Sequence, residues 1–200
     1  MKENYSIQAE NLMSQIIKDY TISVETFKVQ NLVLKSIKSI KVKIADRTRN
    51  ISDLVEIQYN DEIQKWKLTV YNKDYINKIV IQIDETDLSY YVEGQFIIID
   101  KPTFTYNQLL ELIEQIEKYT NKVLLNCSKA KLEPILRARN GVENQFIDNI
   151  TAQFASQRSQ EIYEKYEVIL QEKKLQKIKN ILGIELFKKY KADNFLELNK

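Results

Sequence analysis

Residues 54–71 read LVEIQYNDEIQKWKLTVY. Two runs within it, 54–59 and 65–71, are rich in Val, Ile, Tyr and Trp, the residues that suit a pleated, half-buried surface. Between them Asn60-Asp61-Glu62 supplies a turn, because a short polar side chain can hydrogen-bond the backbone just ahead of it. The stretch predicts a β-hairpin. Further runs at 78–84 and 95–100 extend the prediction to a small antiparallel meander. Gly94 accepts positive φ freely and marks a turn or bulge between 92 and 95. Ile97, Ile98 and Ile99 in succession predict a strand covered on both faces.

Working outward, Ile7, Leu12, Ile16 and Ile17 recur at helical spacing, and an amphipathic helix is expected over 4–20. Over 22–44 two periods compete: Ile40, Val42 and Ile44 alternate like a strand, while Val33, Ile37, Ile40 and Ile44 share a helical face. An extended or mixed segment is expected there. On the other side Pro102 ends the sheet, and Thr105 with Gln108 has capping-box spacing before a helix that buries Leu109, Leu112, Ile113 and Ile116. A short strand is expected over 122–126, with Cys127 at its end, and Pro134 fits the first turn of a short helix. Asn140-Gly141 reads as a C-cap or hinge. Nothing between Gly141 and Gly183 would break a helix, so one helix of some 30 residues, about 45 Å, is expected, ended or bent at Gly183. The fold class is therefore α+β: a small antiparallel β-sheet flanked by helices, followed by a helical C-terminal region with one long helix. The expected domains are an α/β domain over 1–130 and a helical region over 131–200.

Composition excludes several chemistries. The chain has 200 residues, 30 basic and 28 acidic, for a net charge of +2, so it is not a globally cationic nucleic-acid binder. With no histidine there is no imidazole base or ligand, and one cysteine makes neither a disulfide framework nor a multi-cysteine zinc site. Three isolated glycines cannot form a phosphate-binding loop. Asp84, Glu85 and Asp87, with Glu93 and Asp100, are the one candidate for Mg²⁺, weighed against plain solvated turns. The order helix, three strands, helix, strand resembles the core of restriction-type nucleases, yet no Glu-x-Lys falls on an expected strand. Cys127 has Lys129 and Lys131 nearby but no base. No catalytic residue, cofactor or metal is therefore expected. No apolar stretch is long enough to span a membrane and no secretory leader is evident, which points to the cytoplasm or a particle assembled there, with no membrane partner. The wealth of Ile, Lys, Asn and Tyr suggests an AT-rich genome.

Two candidate surfaces stand out. Lys28, Lys35, Lys38, Lys41, Lys43, Arg47 and Arg49 face only Asp46 over 28–49, and Lys173, Lys174, Lys177 and Lys179 form a second basic cluster. Such clusters neutralise phosphates; their lysine richness argues against reading of base sequence. Val142, Phe146, Ile150 and Phe154 form an apolar seam that Tyr163 and Tyr166 continue. A long isolated helix is only marginally stable in water, so this seam packs either on its own fold or on a partner. The expected function is a non-catalytic structural or assembly subunit, or an adaptor, with a virion or phage particle as one setting. Its partners are other protein subunits, copies of itself included. The alternative is a nucleic-acid-binding accessory protein using the basic segment, without sequence specificity; a metal-dependent nuclease stands third.

Overall fold

The structure, a computed structural model, describes residues 4–100 and 102–197. It is α+β, with five helices and two small antiparallel sheets among the described residues. Two compact units divide the chain: residues 28–105 form one, while residues up to 27 join those from 106 onward in the other.

In the unit over 28–105, α2 (Gln30–Ser39) leads into a two-stranded ribbon of β1 (Lys41–Ile44) and β2 (Arg47–Asn50). The contested segment is thus helix and then strand: Val33 and Ile37 bury one face of α2, and Val42 enters the core from β1. The predicted hairpin forms between β3 (Val55–Asn60) and β4 (Lys65–Val70), in register from Val55↔Val70 to Asn60↔Lys65. Asn60 Oδ1 accepts the backbone N–H of Glu62 at 2.9 Å, the local bond that the turn residues implied.

Residues 78–84 are not a strand. They belong to α3 (Ile76–Asp84), because Ile79 and Ile83, four apart, both reach the core while Ile81 between them stays exposed. The helix separates β4 from β5 (Tyr90–Glu93), and β6 (Phe96–Ile99) pairs directly with β4. The order is therefore β3-β4-β6-β5, a crossover rather than a plain meander. Gly94, at φ 61°, makes the β5–β6 turn. Trp66, Leu68 and Val70 of β4 join Ile97 and Ile99 of β6 and the buried residues of α2 and α3 in one core, and Ile98 is covered on the opposite face.

The second unit is built from α1 (Asn4–Val24), α4 (Tyr106–Glu143) and α5 (Asn149–Glu197). Cross-links set the directions. Arg137 donates to Gln8 and Tyr20 meets Thr120, so α1 and α4 are antiparallel; Lys165 pairs with Glu10 and Lys177 with Glu25, so α1 and α5 are parallel. Met13, Ile17 and Tyr20 meet Ile116, Val123 and Cys127 and, from α5, Ile162, Tyr166 and Leu170. At the centre Thr120 Oγ1 donates to the Ile116 carbonyl at 2.7 Å, leaving its oxygen to accept the Tyr20 hydroxyl at 2.8 Å.

Here α4 absorbs three expected features. The strand over 122–126, the short helix opened by Pro134 and the stop at Gly141 all lie inside it. Val123, Cys127, Ala130, Pro134, Ala138 and Gly141 are buried at spacings of three and four, and that continuous packed face outweighs the roughly 3 kcal/mol an interior proline costs. Residue 130, the expected domain boundary, falls mid-helix. The long helix also begins later than expected, at Asn149, where Asp148 Oδ1 accepts the Thr151 N–H at 2.6 Å. Gly183 bends it, with φ 71° and ψ 179°.

Candidate functional site

Charge is the most uneven property of the unit over 28–105. Its basic side chains crowd into 28–49, and the rest of the unit carries more acidic than basic residues. Lys35 and Lys38 lie on the solvent side of α2; Lys41 and Lys43 alternate with core-facing Val42 on β1; Arg47 and Arg49 lie on β2, every residue of which is exposed. Lys28, just ahead of α2, is exposed too. The register pairs Lys41 with Asn50 and Lys43 with Thr48 on one face, and Val42 with Arg49 and Ile44 with Arg47 on the other. None of these seven cations is held in an ion pair among the described residues. The structure brings the predicted nucleic-acid residues Lys35, Lys38, Lys41, Lys43, Arg47 and Arg49 into adjoining elements of one unit.

The second basic cluster does not survive intact. Lys177 is only 8% exposed and pairs with Glu25 at 2.6 Å, tying α5 to the end of α1. The signal was its spacing, seven residues beyond the buried Leu170.

The apolar seam is broken by the turn between α4 and α5. Val142 is in the last turn of α4, Phe146 in the connection and Ile150 and Phe154 at the start of α5, with exposures of 81%, 72% and 51% for the last three. Tyr166 is in the bundle core, and Tyr163, half-buried, packs against it. The six residues therefore do not form one face.

Two of the five candidate acidic residues are held in separate local contacts. Asp84 accepts the Tyr90 hydroxyl at 2.7 Å, and Asp100 pairs with Lys65 at 2.7 Å. No group of three potential ligands is placed to hold a metal ion among the described residues. Burial, with the Glu167 carboxylate adding to it, pushes the Cys127 thiol above its ordinary pKa, the wrong direction for a nucleophile. A cluster that residue patterns did not reveal joins the start of α4 to the end of α5: Tyr106 donates to Asp193 at 3.1 Å and Tyr190 to Glu117. Burial first, then the carboxylate bond, raises the Tyr190 phenol well above its ordinary value. These residues join the two helices.

The class so defined is an α+β protein in which an α/β unit interrupts a helical unit between its first and second helices. No family model and no curated protein sequence matches the chain. Among solved structures it is similar to the solution structure of the ribosome recycling factor, at 20% identity and a TM-score of 0.48, over 92% of this chain and 98% of that one. It is also similar to a chain from models for the T. thermophilus ribosome recycling factor and the E. coli elongation factor G bound to the E. coli post-termination complex. There the identity is 12%, the TM-score 0.49, and the coverage 92% and 100%. At these levels no site residue is carried across. Both are described as the ribosome recycling factor, so the expectation of a structural, assembly or adaptor subunit, with a virion or phage particle as one setting, is corrected, together with the nuclease ranked third. An AT-rich genome likewise finds no support among them.

Proposed function

We propose that this protein is a translation-associated factor that works by binding rather than by chemistry, with the ribosome as its partner. The observation that carries the binding reading is its build: two units with separate cores, one closed around packed helices and the other presenting seven exposed, unpaired cations over 28–49. A protein of that kind acts through its surfaces. The ribosome enters from the descriptions of the two similar structures, which name the first partner to try. Contacts with ribosomal protein or RNA, and a place in the cytoplasm, belong to the same reading. No helix among the described residues is long and apolar enough to cross a membrane.

The test is sedimentation of the full chain with purified ribosomes through a sucrose cushion. Saturable pelleting that weakens as salt rises is expected. A chain that stays in the supernatant at low salt, whatever the ribosome concentration, would overturn the proposal.

A further inference from the structure

We infer that the unit over 28–105 has a binding site for one buried water molecule, which takes the indole N–H of Trp66 and ties β4 to the start of α2. Nothing in it depends on the ribosome. Three observations carry it. First, Trp66 is only 7% exposed, and its Nε1–H has no hydrogen-bond partner among the described residues. A donor left so forfeits the bond it made to water in the unfolded chain, and buried polar groups in native proteins are for that reason nearly always paired. Second, Trp66 lines a small pocket, walled by Val33 of α2 and by Phe104 near the end of the unit. The room inside it for a water-sized sphere is about 10 Å³, close to the least that holds one water. Third, Gln30, Tyr59 and Gln64 line the same pocket and bring the oxygens that a water needs to donate to.

The bonds among those three side chains decide which acceptors are open. Gln30 Nε2 donates to Tyr59 Oη at 3.4 Å, and Tyr59 donates in turn to Gln64 Oε1 at 3.1 Å. The Gln64 amide nitrogen is committed to the Asp61 carbonyl at 3.0 Å. The Tyr59 hydroxyl is thus engaged as both acceptor and donor, which leaves the Gln30 carbonyl oxygen and a second lone pair on Gln64 Oε1. A water that accepts from Trp66 and gives one hydrogen to each of these oxygens makes three bonds, the usual number for a buried water. The rival occupants fit less well. A small organic ligand has no room in a space of this volume. A dry void suits a wholly apolar lining, whereas this one includes an indole N–H and two amides. A Gln30 side chain turned to accept the N–H itself would abandon Tyr59.

Trp66 is the single tryptophan of the chain, so its indole N–H gives one resonance in the nuclear magnetic resonance spectrum of the nitrogen-labelled full chain. That N–H should show a cross-peak to the water line. Its sign should match the diagonal in the laboratory-frame Overhauser spectrum and oppose it in the rotating-frame one, the signature of a water that stays bound. A hydroxyl proton exchanging with solvent can imitate this, so the peak is also sought in Tyr59→Phe, where it should persist. A crystal structure gives the second reading. Density for one water is expected within about 2.7–3.2 Å of Trp66 Nε1 and in bonding reach of the Gln30 or Gln64 carbonyl oxygen. Absence of the cross-peak, its loss in Tyr59→Phe, a glutamine oxygen seated on Nε1, or density larger than one water would each overturn the assignment.

Discussion

The Tyr190 hydroxyl, donated to Glu117, gives the helical unit a pH dependence that can be worked out in sign. Its pKa in the folded chain lies above the ordinary value of 10.0, first because it is buried and then because of the carboxylate. Above about pH 10 the unfolded chain therefore holds fewer protons than the folded one, and stability falls as pH rises toward the folded value; below that window the contribution is fully present. Each proton so linked is worth about 1.4 kcal/mol per pH unit. Melting temperatures between about pH 9.5 and 11.5 should fall more steeply for the unmodified chain than for Tyr190→Phe, and equal slopes would contradict the account. Ser159 offers a second residue-scale test. Its Oγ is buried with no hydrogen-bond partner, so removing it relieves a desolvated hydroxyl at little loss of packing. Ser159→Ala should leave stability unchanged or raise it by up to about 1 kcal/mol in a denaturant titration; a loss of more than that would reveal a partner for the hydroxyl. At this scale much was legible: the cations of 28–49 and the turn at Asn60 follow from residue type alone. Lys177 misled, because its charge is visible in the chain while its burial and its pairing with Glu25 depend on a segment some 150 residues away.

Elements are governed by which period the core selects. The hairpin β3–β4, the strand at β6, the helix at the N-terminus and the bend at Gly183 were all readable, because local chemistry and tertiary packing agree there. The misreadings share a cause. Ile79, Val80, Ile81 and Ile83 have strand-like composition, yet the core accepts Ile79 and Ile83 and makes a helix of them. Val123 and Leu124 looked like strand, and Pro134 and Gly141 like punctuation, until a long buried face overrode them. At Gly183 local chemistry prevails. The pair φ 71° and ψ 179° belongs to a region that glycine alone occupies readily, and a Cβ there would meet no atom within 4 Å. Gly183→Ala should thus cost about 1–3 kcal/mol through backbone strain alone, read by denaturant midpoint. An unchanged midpoint would mean that the bend is not held.

For the whole molecule, the division into units was the least legible property. Reading along the chain invites a single cut, and the change in character near residue 130 supplied one. The helical unit instead draws on both ends of the chain, and only long-range packing of α1 with α4 and α5 reveals that. Because the unit over 28–105 has its own core, its excised chain should melt cooperatively by circular dichroism; a non-cooperative melt would show that it depends on the helices. The central claim, that the protein works by binding to the ribosome, is met most directly by titrating purified ribosomes against a fixed amount of the labelled full chain and measuring the fraction sedimented. The account predicts a saturable curve whose midpoint moves to higher ribosome concentration as salt is raised. A flat line at the level of the ribosome-free control, at low salt, would contradict it.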